Sequence, residues 1–565
     1  MNKADRYMYE LLNRILTEGY KDVNPRPKYA DGTPAHSISV NGNFRTYDIG
    51  AGEFPITSLR PIAWKTGIRE TLAIYQNQSN QIDEFERMGC GWWKDWALED
   101  NTIGRAYPYN LESHRPNEMK RLVVRVPRRI VDQRYGMLEE LPKFEMLPPI
   151  NNNVYFDRYV VIGRDYDKPQ QMADDKHAYY KIQFLSNGYV TTLRADDIGR
   201  YQGTALNPYE RTVYGVGYLG DYKSIANIQE WELKILKKKW AGMLKRCYSD
   251  KYRADAPTYK DMFVHHRWHC FANFLKDVRY LPQYFLAREE KFKDWQLDKD
   301  YYGSNAYSKE TCVFLKLKEN VTYARNDGYY QITDQIGNVS YDLTIAGFAE
   351  RAGLNLKRLR RALSSGDTYN GFIIEKKKES DDCVYRYELS RNQVVELLKG
   401  LIENPYGRRH IISFWHWANI DKKALVECAY ETIWNVRNDG NGNEFLDMTL
   451  IQRSGDSITA SCSGVNECQY AALLMMVAKH CGYIPGKMAH FIANEQIYDR
   501  HVDQAKEMIR RYEEALLTDV DGGGKEQPRL IFNPKRDNFY EFTTDDFELL
   551  NYEPMRPQLV LPLGI

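Results

Sequence analysis

One cysteine and three arginines supply the residue types best suited to chemistry in this chain. Cys428 lies in the stretch ALVECAYET, between a short apolar run and an aromatic-acidic segment. A thiol with a pKa near about 8.5 is only a few per cent thiolate at pH 7, so a nucleophilic cysteine needs nearby cations or hydrogen-bond donors. Arginines are available in GRRH at 407–410 and in IQRSGD at 451–456. Because guanidinium forks match phosphate oxygens, these segments together predict a dianion site beside a nucleophilic sulfur.

The composition is that of an ordinary globular protein. The chain has 565 residues, of which 43% are hydrophobic and 27% charged, with a formal net charge of +1. This length allows three or four domains, and the charge balance argues against a histone-like or acidic-tail chain but not against one basic patch. Nine cysteines without a CxxC pair, an N-terminus unlike a signal peptide and no long apolar stretch predict a cytoplasmic protein without a membrane span.

The segments that must position these residues lie at the two ends of the chain. Helix and strand patterns fill 1–115, and apolar helices and strands return from NQVVELLKGL at 392. The two parts add up to about 290 residues, which is the size of one α/β domain. The middle of the chain is therefore predicted to be an insertion of about 275 residues. The predicted division is 1–115 and 390–565 for the interrupted domain, 116–158 for a linker, 159–325 for an inserted module and 326–378 for a helix-turn-helix segment.

Eight segments of the outer parts follow one another in the order of a known family. They are DGTPAH (31–36), AWKT (63–66), GWWKDWALEDNTIGRAY (91–107), RRHI (408–411), ALVECAYET (424–432), QRSGD (452–456), YDRHVDQ (498–504) and FNPKRDNFYEFTTDDFELLNY (532–552). In these motifs the chain resembles thymidylate synthase, most of all its Bacillus-type branch. The resemblance implies an α/β (α+β) thymidylate synthase fold that is split in sequence by an inserted α+β module and a small helix-turn-helix segment.

The resemblance also implies a reaction, the reductive methylation of deoxyuridylate (dUMP) to thymidylate (dTMP) by 5,10-methylenetetrahydrofolate. Cys428 would add to C6 of the uracil ring, which makes C5 a carbon nucleophile toward the one-carbon unit of the folate. Glu70 matches the carboxylate that organises water for proton transfers near the base, and Tyr107 matches the tyrosine beside the nucleophile. Asp456 completes the implied catalytic group.

The resemblance implies that the arginines of the outer parts bind the phosphate of the nucleotide. Arg26, Arg453 and Ser454 would hold the phosphate within one subunit. Arg408 and Arg409 would reach the same phosphate from the neighbouring subunit, because the family forms homodimers with shared sites. We therefore expect a homodimer that binds dUMP and the folate.

The base, the ribose and the pterin are also assigned by the resemblance. An amide can donate and accept, so Asn466 suits O4 and N3 of uracil, where an aspartate would suit cytosine. Tyr498 would bind the ribose. Trp93, Trp96 and Asp456 would hold the pterin of the folate, and the C-terminal LPLGI would close over it.

Several positions depart from the family pattern, and two alternative functions stay open. Glu427 stands where proline is usual, Ala429 and Gln496 replace histidines, and the loop 457–465 is longer than expected. One alternative is a deoxyuridylate hydroxymethylase of the same fold, which ends with water in place of hydride. The other is a phage mobile-element protein that binds or cuts DNA and carries an inactive synthase half.

Four segments of the insertion also follow one another in the order of a known family, and they begin NGYVTTLRADD (187), KKWAGMLKRCYSD (238), VHHRWHCFANFLKD (264) and LDKDYYGSN (297). In these segments 159–325 resembles a phage-type HNH-like endonuclease module. Such modules hold one Mg²⁺ in a ββα hairpin and use a histidine base. Here LDKD occupies the strand where that histidine is expected, Thr311 replaces an asparagine, and Asp298 and Asp300 are the residues that could bind Mg²⁺. Three histidines on a different segment favour packing or surface roles: His265, His266 and His269. DNA cleavage by the insertion stays open.

A helix-turn-helix candidate follows within 326–378. TIAGFAERAGLNLKRLRRAL has a helix pattern, a glycine turn and a basic second helix. That second helix carries four cations that could meet DNA phosphates or a major groove: Lys357, Arg358, Arg360 and Arg361. A solvated basic face is the alternative. DNA binding is better supported than DNA cutting, and no intein junction is recognisable.

Overall fold

The computed structural model describes residues 1–25, 27–113, 122–168, 178–201, 203–325, 328–380, 382–518 and 526–562. Arg26 and the last three residues of LPLGI, which carry predicted contacts, lie outside these described residues. The chain divides into two compact units. The first unit comprises Met1–Arg115 and Leu389–Ile565, and the second comprises Pro116–Glu388.

Strands are numbered in chain order through both units. They are β1 (Tyr20–Lys21), β2 (Ser37–Asp48), β3 (Glu112–Ser113), β4 (Val123–Pro127), β5 (Val154–Tyr155), β6 (Tyr159–Arg164), β7 (Tyr179–Phe184), β8 (Val190–Arg194), β9 (Phe263–Val264), β10 (Trp295–Asp298), β11 (Ala306–Tyr307), β12 (Val313–Lys316), β13 (Gly328–Thr333), β14 (Val339–Asp342), β15 (Ile373–Lys378), β16 (Cys383–Tyr387), β17 (Arg391–Asn392), β18 (Ile411–Ser413), β19 (Ala429–Asn438), β20 (Glu444–Asp456), β21 (Ile484–Tyr498), β22 (Arg529–Phe532) and β23 (Phe547–Leu550).

The α-helices are numbered in the same way. They are α1 (Lys3–Glu18), α2 (Trp64–Leu72), α3 (Ile82–Arg87), α4 (Pro108–Leu111), α5 (Glu230–Tyr248), α6 (Asp250–Asp255), α7 (Phe271–Val278), α8 (Tyr284–Glu289), α9 (Leu317–Arg325), α10 (Ile345–Arg351), α11 (Leu356–Ser365), α12 (Gln393–Glu403), α13 (Val465–Cys481) and α14 (Val502–Thr518). No helix in the described ranges combines the length and the apolar character needed to cross a membrane.

A six-stranded sheet organises the first unit, which is a mixed α/β structure as predicted. Its strand order is β1-β2-β21-β20-β19-β18, and every neighbouring pair is antiparallel except β20 and β21. Parallel neighbours need a crossover connection, and here α13 provides it. Because α13 starts beyond the end of β20, its first turn and the last residues of β20 come together at one edge of the sheet.

The two faces of this sheet differ in what covers them. Along β2 and β21 side chains alternate between buried and accessible positions, as expected when one face of a sheet packs against helices. Helix α13 is apolar over most of its length, and residues all around it are buried. On the opposite face Phe44 pairs with Phe491, which is also next to Ile451, and both phenylalanines are exposed.

Helix α1 packs against α14 in a core that closes one end of the first unit. Met8, Leu11 and Ile15 lie in one buried cluster with residues of α14 such as Met508. The start of α1 is fixed by a reciprocal cap, in which Asn2 accepts from the Asp5 amide at 2.7 Å and Asp5 accepts from the Asn2 amide at 3.1 Å.

The chain leaves the first unit and returns to it at adjacent points. Strand β3 pairs with β17, and Ser113 is opposite Arg391. The Glu112 carboxylate accepts from the Ser390 hydroxyl at 2.6 Å and from the Asn392 amide at 2.9 Å. These contacts form a short stem on which an insertion can be carried without opening the sheet.

The second unit contains several small sheets. Strands β5-β6-β7-β8 form an antiparallel sheet around Tyr159, Ile182 and Phe184. Strands β10 and β12 form a hairpin that continues into α9, and β14-β13-β15 packs with α10 and α11. Strand β4, which lies in the predicted linker 116–158, pairs with β16.

Candidate active site

Cys428 lies immediately before β19 and is partly accessible. The strand is irregular at this point, because the register of β19 against β20 shifts between Ala429 and Glu431. The Cys428 carbonyl accepts from the Arg453 amide at 2.9 Å. The cysteine loop is therefore attached to the last residues of β20, where IQRSGD ends.

The side chain of Arg453 holds the same loop from the other side. Its Nε donates to the Glu427 carbonyl at 2.8 Å, and one Nη donates to the Val426 carbonyl at 2.9 Å. A guanidinium carries five N–H donors, so these two contacts leave further donors for a ligand. A fixed positive charge thus lies beside the loop that carries the Cys428 thiol.

Glu70 occupies the last turns of α2 and is held by two short hydrogen bonds. One carboxylate oxygen accepts from Trp93 Nε1 at 2.6 Å, and the other accepts from Gln469 Nε2 at 2.6 Å. Burial raises the pKa of Glu70 to about 7, although these donors act in the opposite direction. A carboxyl group with a pKa near neutrality can both give and take a proton at physiological pH.

The close approach of α2 to α13 brings Gln469 within reach of Glu70. It depends on Gly67, where a Cβ atom would lie 2.9 Å from Val465 Cγ1 and 3.1 Å from Gln469 Cγ. Gln469 Oε1 in turn accepts from Asn466 Nδ2 at 3.0 Å. The predicted base-reading amide and the predicted proton-transfer carboxylate are therefore connected through one glutamine.

Tyr107 joins this group through aromatic packing and through electrostatics. Its ring packs edge-on against Trp93, with centroids 5.6 Å apart, and against Phe414 at 5.4 Å. Burial, and then the negative charge of a Cys428 thiolate, raise the pKa of Tyr107 well above its usual range. The structure thus brings Cys428, Glu70 and Tyr107 together from three distant segments.

The two tryptophans with predicted pterin contacts lie in different environments. Trp93 is buried and gives its indole N–H to Glu70, whereas Trp96 is half-buried and packs edge-on against Trp93 at 6.1 Å. The contact of Trp93 with Glu70 was not anticipated from sequence. The pterin role of both residues stays a prediction.

Asp456 ends β20 and caps the helical turn Ser457–Ser461. One oxygen accepts from the Thr459 amide at 3.3 Å, and the other lies 3.8 Å from Nδ1 of the buried His501. Burial raises the pKa of Asp456, and the nearby His501 moderates the increase. Nε2 of His501 lies 2.7 Å from the Pro562 carbonyl, so the residues before the C-terminus meet this side of the site.

The remaining predicted nucleotide contacts lie on three different segments. Ser454 is half-buried on β20 opposite Asn494, and Tyr498 ends β21 with its ring 5.5 Å from that of His501. Arg408 and Arg409 are exposed in the loop between α12 and β18. Among the residues the structure describes, neither of these two guanidinium groups has an ion-pair partner.

A buried polar network lies behind the site and has no counterpart in the sequence analysis. Arg45 donates to Glu467 and to Glu495, at 2.8 Å in each case, and His490 lies 2.8 Å from Glu467 and 3.2 Å from Gln452. Burial favours protonation of Glu467, but Arg45 and His490 hold the pKa of that carboxyl at about 2. The network supports the neighbours of Asn466 and Arg453 from inside the core.

The residues with predicted metal contacts in the second unit are engaged in structural contacts. Asp298 is buried and accepts from the Tyr301 amide at 2.8 Å, and Asp300 pairs with Lys299 at 2.6 Å. Across the described ranges no three His, Cys, Asp or Glu side chains converge as metal ligands. The Mg²⁺ contacts that LDKD indicated for Asp298 and Asp300 stay a prediction.

The three histidines singled out in this unit and Thr311 also make contacts within the protein. Burial lowers the pKa of His269 to about 4, and its Nε2 lies 3.1 Å from the Val264 carbonyl. His266 pairs with Glu139 at 3.1 Å, and its ring packs on that of His265. The Thr311 hydroxyl donates to the Ala306 carbonyl at 2.8 Å.

Helix α11 presents the four cations singled out from the sequence. Lys357, Arg358, Arg360 and Arg361 are all exposed, while Leu359 is buried against the sheet of β13. In the described part of the chain none of the four forms an ion pair, in contrast to Arg351 of α10, which pairs with Asp342. The basic face is therefore accessible to an external anion.

Comparison with known proteins assigns the chain to a family. The family model described as thymidylate synthase matches residues 6–145 and 303–563, and the unmatched stretch between them lies within the second unit. The thymidylate synthase of Lactococcus lactis subsp. cremoris (strain SK11) is 39% identical over 176 residues, which are 31% of this chain and 59% of that protein. That of Streptococcus suis (strain 05ZYH33) is 41% identical over 174 residues, 30% of this chain and 58% of that protein.

The chain thus spans less than two thirds of the length of these curated relatives. Among solved structures, the thermostable thymidylate synthase A from Bacillus subtilis gives a TM-score of 0.44 at 18% identity, with 100% of this chain and 99% of that chain covered. The assignment to a family rests on the family model, which matches more than half of the chain.

Proposed function

The chain belongs to the thymidylate synthase family, and we propose that it converts dUMP to dTMP with 5,10-methylenetetrahydrofolate as co-substrate. The observation that carries this proposal is the linkage of Cys428, Tyr107, Glu70 and Arg453. Arg453 and the Tyr107 amide both donate to Glu427, next to Cys428, and Trp93 contacts both Tyr107 and Glu70. The four linked residues are a nucleophile, a phenol, a carboxyl group with a pKa near neutrality and a fixed cation. Together they suit covalent activation of a pyrimidine nucleotide.

In the proposed mechanism Cys428 is the nucleophile. Its sulfur bonds to C6 of the uracil ring, and the electron pair of the C5–C6 double bond moves to C5 and O4. C5 then forms a bond to the one-carbon unit of the folate, the proton on C5 leaves, and the bond between that carbon and the folate nitrogen breaks. Hydride from the tetrahydrofolate so formed completes the methyl group and leaves dihydrofolate. Release of the sulfur restores the double bond, so covalent addition divides one difficult step into easier ones.

Glu70 is the proposed proton carrier near the base. Its pKa of about 7 allows it to deliver a proton toward O4, through water, and to take it back at the same pH. Gln469 connects it to Asn466, whose amide would read the base edge. A displacement of Asn466 would therefore affect both recognition and proton transfer.

The proposed phosphate site combines Arg453 and Ser454 with the exposed Arg408 and Arg409 of a second copy of the chain. The exposed sheet face favours such a homodimer, because Phe44, Phe491 and Ile451 form a continuous apolar row there. An apolar row of this kind is stabilised when a partner covers it, and a two-fold dimer would bury the same row on both subunits.

A spectrophotometric assay of dihydrofolate formation tests the proposal. Wild-type protein should form dihydrofolate from dUMP and the folate co-substrate, and Cys428→Ser should not exceed the background rate. Activity with dCMP in place of dUMP would contradict the role of Asn466. The mass of the nucleotide product distinguishes the methyl product from the hydroxymethyl product that the alternative enzyme would release.

We also propose that the second unit binds duplex DNA through α11. The ten residues of this helix are about 15 Å long, and a major groove about 12 Å wide admits an α-helix. Lys357, Arg358, Arg360 and Arg361 span an arc of about 160° on the helix surface, opposite the buried Leu359. Cleavage is not part of this proposal.

A paired set of variants tests DNA binding. Changing the four α11 cations to glutamine should weaken binding to a fluorescent duplex. The slope of log K against log salt concentration should become shallower by about 0.9 for each phosphate that is no longer neutralised. The control removes the same charge from cations that pair with carboxylates on the first unit, Arg6, Arg14, Lys399 and Arg510. Equal weakening in both sets would contradict a specific role for α11.

A further inference from the structure

The residue before the cysteine carries a buried carboxylate that the mechanism above does not use. The Glu427 side chain is 0% exposed, yet three donors reach it. One oxygen accepts from the Tyr107 backbone amide at 2.8 Å and from Asn110 Nδ2 at 3.1 Å. The other oxygen accepts from Lys423 Nζ at 2.5 Å, and the lysine side chain is also fully buried.

These contacts join two segments that already lie side by side. The Arg105 amide donates to the Lys422 carbonyl at 2.8 Å, and the Ala424 amide donates to the Ile103 carbonyl at 3.2 Å. Gly104 permits this approach, because a Cβ atom there would lie 2.4 Å from the Lys422 carbonyl oxygen. The carboxylate of Glu427 adds a further hydrogen bond between these two segments, at Tyr107.

Tyr107 adopts a backbone conformation that needs external support. Its φ is +36°, in the region that residues with a side chain seldom occupy. Such a conformation persists only where surrounding contacts determine it. The amide of Tyr107 donates to Glu427, and its ring is held by Trp93 and Phe414.

The backbone of Glu427 is fixed at the same time. Its carbonyl accepts from Arg453 Nε at 2.8 Å, and the next residue is Cys428, whose carbonyl accepts from the Arg453 amide. Glu427 thus contacts one loop through its main chain and another through its side chain. Its main chain fixes the loop of the nucleophile, and its side chain fixes the loop of the tyrosine beside the nucleophile.

We propose that Glu427 is a positioning residue that sets the Tyr107 phenol and the Cys428 sulfur relative to one another, an inference that rests on the proposed role of Cys428 as nucleophile. Its working part is the oxygen that accepts from the Tyr107 amide. Lys423 neutralises the carboxylate, since a buried charge without a partner destabilises the fold. The side chain is directed toward Tyr107, Asn110 and Lys423, so its charge is compensated beside the thiol.

Two double variants separate the acceptor from the charge. K423M/E427Q removes both charges but keeps an amide oxygen that can accept from the Tyr107 amide. K423M/E427L also removes both charges but leaves that amide without an acceptor. We expect kcat to fall about 100-fold in the leucine variant, with KM for dUMP nearly unchanged, because a misplaced catalytic group costs about that much. The glutamine variant should keep most of the wild-type kcat.

Asp5→Asn controls for general loss of stability. Asp5 is another buried carboxylate of the first unit that accepts from backbone amides, those of Asn2 and Ser58, and it lies outside the proposed site. It should lower Tm without changing kcat. If K423M/E427L does not fold, K423M/E427Q decides, because it keeps the acceptor without an unpaired buried charge and should keep kcat. A 100-fold loss in K423M/E427Q, or equal kcat in the two double variants, overturns the proposal.

Crystal structures of the two double variants provide a test that is independent of activity. The ring centroids of Tyr107 and Trp93 should stay near 5.6 Å apart in K423M/E427Q and separate in K423M/E427L. If wild-type protein forms no dihydrofolate, the proposed function fails, while this structural comparison still decides the positioning role. Identical Tyr107 conformations in both variants overturn it.

Discussion

The side-chain amide of Gln469 donates to the Glu70 carboxylate at 2.6 Å, although the two residues are 399 positions apart in the chain. The segments that hold them flank the whole second unit, Pro116–Glu388. An insertion of this length is tolerated where its ends are adjacent, as they are in the stem of β3 and β17. The candidate active site is therefore assembled within one unit despite its division in sequence.

The first prediction concerns the charge state of Glu70 in catalysis. Glu70→Gln keeps the shape of the side chain but cannot carry a proton, so kcat should fall by about 10²–10⁴-fold. Because the pKa of Glu70 is about 7, wild-type kcat should also change across neutral pH. Steady-state rates from about pH 5.5 to 9 would check this, and an unchanged profile in the variant would contradict it.

The same group should make stability depend on pH. The folded-state pKa of about 7 lies above the usual value of 4.5, so the folded protein binds this proton more tightly than the unfolded chain does. The contribution of Glu70 to stability is therefore largest below 4.5 and is lost as pH rises through 7. Thermal melts should show that wild type loses stability relative to Glu70→Gln over this interval. The opposite trend would mean that the carboxyl group is not desolvated.

Gly67 should resist substitution because of the close approach of α2 to α13. In Gly67→Ala the new Cβ lies 2.9 Å from Val465 Cγ1, so the helices must move apart, which costs about 1–3 kcal/mol. The Glu70–Gln469 hydrogen bond should lengthen, and kcat should fall. Gly242→Ala in α5 is the control, since its Cβ meets only Arg246 Nη1 at 3.7 Å. It should be neutral or stabilise by about 0.5 kcal/mol.

Removal of the second unit should leave the first unit folded. Joining Arg115 to Leu389 through two glycines replaces residues 116–388 but retains the stem in which Ser113 is opposite Arg391. The shortened protein should unfold cooperatively in a thermal melt and form dihydrofolate at a rate comparable to the full chain. Its DNA binding should disappear. A shortened protein that is unfolded would show that the first unit depends on the second.

The exposed sheet face should carry the homodimer. Phe491→Glu places a charge in the apolar row beside Phe44 and Ile451, and burial of an unpaired charge opposes association. Sedimentation should show a monomer, with loss of activity if Arg408 and Arg409 act across the interface. Leu517→Glu is the control, because this exposed leucine is on helix α14 and not on a strand of the sheet. A dimer that survives Phe491→Glu would exclude this face.

Short motifs predicted Cys428, Glu70 and Tyr107, and the structure brings these three together. Each lies in a segment with a recognisable pattern, so no spatial information was needed to select it. Gln469 follows Asn466 by one helical turn, but many residue pairs have that spacing, and only the contact with Glu70 distinguishes it. Glu427 attracted attention as a departure, yet two of its three donors, Tyr107 and Asn110, lie 320 and 317 positions away in the chain.

In the insertion, residue types alone do not decide whether a cation site forms. LDKD has the residue types of a cation site, but whether carboxylates converge on an ion depends on side-chain direction. Here Asp298 accepts from a backbone amide, and Asp300 pairs with Lys299. The basic helix was easier to predict, because charge at the spacing of one helical face is visible in LKRLRRAL. The roles assigned to Arg26, Trp96 and Tyr498 stay predictions.

A crystal structure of the protein with bound dUMP tests the central claim most directly. We expect the Cys428 sulfur to lie against C6 of the base or to be bonded to it, with the phosphate contacted by Arg453 and by Arg408 and Arg409 of a second copy. A nucleotide bound elsewhere, or a Cys428 sulfur directed away from the ring while these arginines contact no phosphate, would contradict the proposed mechanism.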